Sequence, residues 1–181
     1  MKDYAMKTKA LIYSKDRAFQ LDACLSTLFY FTNIEGLEIV VLCKTTSETS
    51  LKQYNQLIEK YDRCCFVPEN NLVIDTISQL TACEYVLFLV DDTIFYKRFD
   101  LGFAVETLSK DPESIGFSLR LGFNTDYCYM SNSFQRVPIA ETINEVIRFN
   151  WTVQERDFGY PLEISSSIYR AADIIFALNR F

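Results

Sequence analysis

Apolar residues fall in short blocks along this chain, and their spacing alternates between two kinds. "KALIYS" (9–14), "LEIVVLC" (37–43), "CCFV" (64–67) and "YVLFLV" (85–90) are nearly unbroken and rich in β-formers. Such runs are too short to cross a membrane and read as strands buried on both faces. Between them the spacing becomes helical. Leu21, Cys24, Leu25 and Leu28 share one face of a helix that follows "KDR". "TTSE" fits a capping box from Thr45 to Glu48, opening a helix with Leu51, Tyr54, Ile58 and Tyr61 on its inner stripe. Residues 72–83 predict a third helix carrying Val73, Ile77 and Leu80 inward. Strands alternating with helices in this way imply right-handed crossovers and an α/β fold, a mostly parallel twisted sheet with helices on both faces.

Past residue 98 the pattern loosens. "FDLGFAVETLSK" predicts a helix, and "SIGFSLRLG" alternates Ile115, Phe117, Leu119 and Leu121 as a strand. "FNTDYCYMSNSFQR" is an aromatic, amide-rich loop suited to polyhydroxylated ligands. "PIAETINEVIRFNWTV" begins with a helical character, but Ile147, Phe149, Trp151 and Val153 alternate and predict a strand, with Trp151 in the core. "DFGYP" marks a turn, and "SSSIYRAADIIFALNRF" a final helix. With no repeat or linker, the expectation is a single domain over 1–181, with a regular half at about 9–98 and a looser half at about 99–181.

Ligands of open parallel sheets collect at the carboxyl ends of the strands. Ser14-Lys15-Asp16-Arg17, Thr45-Thr46-Ser47, Glu69-Asn70-Asn71 and Asp91-Asp92 all fall at such ends, so they should share one rim. Asp91-Asp92 is the feature that most needs an explanation. Two adjacent carboxylates at the end of a buried strand repel each other and resist desolvation unless something neutralises them. A hard divalent cation, Mn²⁺ or Mg²⁺, would do so, because such ions take carboxylate oxygens and complete their shell with water and substrate phosphates.

Composition narrows the chemistry. The chain has no histidine, which removes His-based metal sites and Ser-His-Asp or Cys-His catalysis. Its net charge of −6 argues against nucleic acid as a partner. None of its six cysteines forms a CxxC pair, so reduced thiols are expected. No stretch approaches the ~20 apolar residues of a membrane span, and the first residues lack a signal-peptide pattern, which predicts a soluble, cytoplasmic protein.

"ALIYSKDRAFQL", "EYVLFLVDDTIF", "SIGFSLRLG" and "W…DFGYP" together resemble nucleotide-sugar glycosyltransferases of the GT-A fold, of the kind grouped as family 2. The resemblance implies a nucleotide-binding half at about 9–98 and an acceptor-side half at about 99–181 that could be incomplete, a nucleoside-diphosphate-sugar donor, an acceptor that could be glycan, lipid or protein, and a divalent metal held on the diphosphate. Carried onto this chain, it implies Ser14, Asp16, Arg17 and Asp91 at the nucleotide and Asp92 as metal ligand in a DXD-like motif, with Thr93 where a further metal-binding Asp is common. It also implies Asp157 as the catalytic base, although the usual Glu-Asp pair is absent; Glu155 and Glu163 are weaker competitors. Arg120, inside an apolar strand, needs a partner, either pyrophosphate or a buried carboxylate. Two rival readings are a non-catalytic nucleotide-sugar or glycan-binding domain and a sugar-nucleotide nucleotidyltransferase. The absence of glycine from "SKDRAFQL" counts against the second.

Overall fold

The structure, a computed structural model, describes residues 7–143 and 146–180. The first four apolar runs form strands β1 (Thr8–Lys15), β2 (Glu38–Lys44), β3 (Cys64–Pro68) and β4 (Tyr85–Val90). Between them lie α1 (Ala18–Phe31), α2 (Glu48–Lys60) and α3 (Leu72–Leu80). These strands pair in parallel, with Ser14 opposite Cys43 and Tyr13 opposite Val90. The period of two sends successive residues to opposite layers. Ala10, Ile12, Val41, Leu87 and Leu89 pack with Leu21, Cys24, Leu25 and Leu28 of α1. Leu11, Val40, Leu42, Val86 and Phe88 pack with Leu80 of α3.

After β4 come α4 (Leu101–Lys110), β5 (Phe117–Ser118), the hairpin of β6 (Tyr127–Cys128) with β7 (Ser133–Phe134), the pair β8 (Glu141–Ile143) and β9 (Val146–Arg148), then β10 (Ser167–Arg170) and α5 (Ala171–Leu178). The main sheet runs β3-β2-β1-β4-β10-β5. β10 is antiparallel to both neighbours, so β5 points the same way as β4.

The segment 165–181 was expected to be one helix, but its first part is β10, where Ile168 and Tyr169 face the two opposite cores. The alternation through Trp151 and Val153 gives only the short β9 followed by a turn of 3-10 helix at Trp151–Val153, and Trp151 is 38% exposed rather than core. Residues 141–143 form a strand where a helical start was expected. Only Phe117–Ser118 of "SIGFSLRLG" joins the sheet. The cap of α2 is Ser47, whose side chain accepts from Ser50 N, not Thr45. The inner stripe of α2 is Tyr54, Leu57 and Tyr61, while Leu51 and Ile58 are exposed; on α3, Val73 is exposed and Thr76 buried.

All six cysteines are free. Among the described residues, no helix is long and apolar enough to cross a membrane.

Candidate active site

The carboxyl ends of the parallel strands make one rim, and the structure brings Ser14, Arg17, Asp91 and Asp92 together there. Asp91 N extends the β1–β4 ladder by donating to Tyr13 O at 3.1 Å. That bond holds the Asp91 side chain beside the end of β1, where it is only 4% exposed. Its Oδ2 accepts from Ser14 Oγ at 2.9 Å and from Lys15 N at 3.4 Å. Its Oδ1 lies 3.1 Å from Arg17 Nη1, and the second nitrogen of the same guanidinium, Nη2, is 3.0 Å from Asp92 Oδ2. Part of the charge on the aspartate pair is therefore compensated by the chain itself. Tyr54 of α2 supports this arrangement: its hydroxyl bonds Ser14 Oγ and accepts from Arg17 N at 3.3 Å. Burial raises the Tyr54 pKa, so the ring stays a neutral hydrogen-bonding prop. In α1 the Cys24 thiol is pushed up to about 12 by burial and then by the charges of Asp91 and Asp92.

Asp16 reaches the same rim with a different task. Its φ of 54° is left-handed, a conformation Asp tolerates better than most residues. Both of its oxygens are taken by Thr46, from the backbone N and from Oγ1, at 2.7 Å each. Those bonds hold its pKa below the usual carboxylate range. Asp16 thus clips the loop after β1 to the loop after β2. On the same side, Asn70 N donates to Asp75 Oδ2 at 2.7 Å and Asn71 caps α3.

A second polar cluster lies farther along the rim. β5 and β4 run in the same direction on either side of β10, so the chain leaving β5 at Arg120 emerges on the side where β4 ends in Asp91-Asp92. Arg120 Nη1 donates to Asp157 Oδ1 at 3.0 Å, and its Nε is 4.0 Å from Glu163 Oε2. Arg120 therefore has carboxylate partners, one of the two kinds expected for it. Asp157 Oδ2 accepts from Gln135 Nε2 at 2.9 Å, and Gln135 Oε1 accepts from Asp157 N at 3.3 Å. Burial pushes the Asp157 pKa up, but the bonds from Arg120 and Gln135 outweigh it, and the net shift is downward. Glu163 is buried and bonded by Ser165 N at 2.7 Å and by Ser167 Oγ.

Gln135 was not singled out from the sequence, and Glu163 was ranked below Asp157. The available signal for Gln135 was the amide-rich loop that contains it. For Glu163 it was a lone acid two residues before the three serines of the segment read as helix.

As for a metal, among the described residues no group of three or more His, Cys, Asp or Glu could hold one. A magnesium-type site needs only one or two protein carboxylates, with phosphates and water supplying the rest. Asp92, half in water beside the buried Asp91, fits that smaller requirement. Thr93 Oγ1 next to it is buried with no hydrogen-bond partner, which leaves polar capacity unused at this point of the rim.

The parallel β3-β2-β1-β4 half, extended by an antiparallel strand and a further parallel one, is the GT-A fold of nucleotide-sugar glycosyltransferases. The TarS protein of S. aureus shares it, with a TM-score of 0.58 at 18% identity over 92% of this chain and 29% of TarS. A shorter TarS structure, 1–349, gives 0.57 at 19% identity over 92% of this chain and 48% of that one. No family model matches the chain. In sequence, the chain is 31% identical over 190 residues to the bifunctional glycosyltransferase pgtA of Dictyostelium discoideum, a match covering 94% of this chain. It spans 25% of the length of that relative. The chain is thus a GT-A domain that resembles glycosyltransferases in both sequence and fold.

Proposed function

We propose that this chain binds a nucleoside-diphosphate sugar at the rim formed by β1 and β4 and transfers the sugar to a hydroxyl of an acceptor. The observation that carries this reading is the Asp91-Asp92 pair at the end of β4, joined to Ser14 and Arg17 of the first strand-loop unit. On this reading Ser14, Arg17 and Asp91 face the nucleotide. Asp16 acts one step back, holding the two loops against each other. Asp92 contributes to a divalent metal, Mn²⁺ or Mg²⁺, which when bound offsets charge on the departing diphosphate. The sequence similarity to a glycosyltransferase over nearly the whole chain supports transfer rather than nucleotidyl chemistry.

Asp157 is the proposed base. A base must lie within hydrogen-bond reach of the acceptor hydroxyl as it attacks the anomeric carbon. Arg120 and Gln135 fix the orientation of the Asp157 carboxylate and keep it ionised. The same contacts favour a second reading, a binding domain without catalysis, because a carboxylate held by two donors is a weak proton acceptor.

A panel of nucleoside diphosphates and their sugars, titrated with and without Mn²⁺, tests the main reading. At least one nucleotide sugar should bind, and purified protein supplied with it should release nucleoside diphosphate by slow hydrolysis. Binding without any hydrolysis or transfer favours the second reading, and no binding to any member overturns the main one.

A further inference from the structure

Arg17 spans the two aspartates, and the two ends of that span differ. At Asp91 the guanidinium meets a buried carboxylate whose other oxygen is already occupied by Ser14 Oγ and Lys15 N. Removing the cation there would leave an uncompensated buried charge, which is costly. At Asp92 both partners are about half exposed, with side-chain exposures of 45% and 53%. Exposed ion pairs are weak and easily exchanged. If the bridge opens, it opens at Asp92.

We propose that Arg17 is a built-in counter-ion that competes with a divalent cation for Asp92 while keeping its hold on Asp91, so that metal loads well only together with a diphosphate. The proposal rests on the nucleotide-binding reading above. Charge balance supports it. One guanidinium and two carboxylates leave a single negative charge, and a divalent cation alone would turn that into a net positive one in a partly buried site. A diphosphate restores the balance. It also gives the Nη2 released from Asp92 an anionic acceptor, in the fork geometry that suits guanidinium. Metal and nucleotide should therefore strengthen each other's binding, by a factor within the usual range of about 5–150-fold.

The test is a titration of metal-free protein with Mn²⁺ alone, following the free ion by electron paramagnetic resonance, repeated with saturating nucleoside diphosphate. Arg17→Gln should bind Mn²⁺ alone about 2–5-fold more tightly than the unmodified protein, because an exposed competitor has been removed. Its gain from added nucleotide should be smaller. Lys15→Gln removes a nearby exposed positive charge that lies by Asp16 rather than on the aspartate pair, so it should shift Mn²⁺ affinity by no more than about twofold. Asp92→Asn should lose Mn²⁺ binding. Arg17→Lys keeps the charge without the fork and should fall between Arg17→Gln and the unmodified protein, which preserves the comparison if the Gln variant folds poorly. The main-chain bonds of Arg17, to Tyr54 Oη and from Leu21 N, do not depend on its side chain. Equal or weaker Mn²⁺ binding by Arg17→Gln, an equal gain in Lys15→Gln, or no Mn²⁺ binding by any variant would overturn the proposal. Because the first arm contains no nucleotide, those outcomes leave the donor-binding reading to be decided by the nucleotide panel alone.

Discussion

In its proposed role Asp157 would meet two demands at once, since Arg120 and Gln135 stabilise its ionised form and a catalytic base must give that stabilisation up when it takes a proton. If Asp157 is the base, Asp157→Asn should lower turnover by about 10²–10⁴-fold with donor affinity nearly unchanged. Equal loss of turnover and affinity, or of neither, would remove it from that role. The sign of its shift adds a pH expectation. The ionised form is the active one and its pKa is depressed, so activity should persist on acidification until pH falls below the ordinary carboxylate range. An acid limb near pH 6 would point to another group. At this scale the sequence was informative where one residue's surroundings are local. Two charges after six apolar residues demanded a compensating partner, and Arg17 supplies one positive charge against the two carboxylates. Asp16 was harder to read, because its task follows from a left-handed φ and a contact with Thr46 across 30 residues.

Among the elements, the helices and strands before residue 98 were legible because strand-like and helical spacing alternate along the chain, and β1, β2, β4 and α1 bury nearly continuous apolar stripes. Those after it are short, and their pairing partners are distant. β10 is a four-residue strand whose register depends on Phe88 and Ser118, neither near it in sequence. Short strands of this kind are held as much by polar contacts at their ends as by apolar burial. Arg148 of β9 shows this: its Nε and Nη2 reach Asp111 at the C-terminal end of α4, at 2.7 and 3.4 Å, and Nη2 also reaches Glu113 at 2.8 Å. Arg148 and then Ser114 bring the Asp111 pKa down to about 2. A carboxyl whose folded pKa lies below its unfolded value, here about 3.9, contributes stability above the unfolded value and loses it as pH falls through the folded one. Melting temperature should therefore drop between pH about 4 and about 2. Asp111→Asn should melt lower than the unmodified protein at pH 7 and converge with it near pH 2. Parallel calorimetric curves for the two proteins across that window would show that the pair contributes nothing measurable.

For the molecule as a whole, the decisive feature is that four parallel strands and β5 deliver their polar ends to one side of one sheet. A site assembled this way from separate loops should be tightened by its ligand. Binding at a ligand concentration ~100 times the dissociation constant adds about 2.7 kcal/mol to folding stability. At roughly 2–4 °C per kcal/mol for a domain of this size, Mn²⁺ with a suitable nucleotide should raise the melting temperature by about 5–10 °C. Asp92→Asn should abolish most of that rise. Without ligand, repulsion between adjacent aspartates would suggest that this substitution is neutral or slightly stabilising. The Arg17 bridge reverses the sign, because the variant gives up an exposed ion pair worth about 0.2–1 kcal/mol and should melt up to about 4 °C lower. The two measurements separate the roles of Asp92. A small loss without ligand together with a missing ligand shift places it at both the Arg17 bridge and the metal. A full ligand-induced shift in Asp92→Asn would remove it from the metal site, whatever the unliganded protein does, and would leave the nucleotide held by Ser14, Arg17 and Asp91.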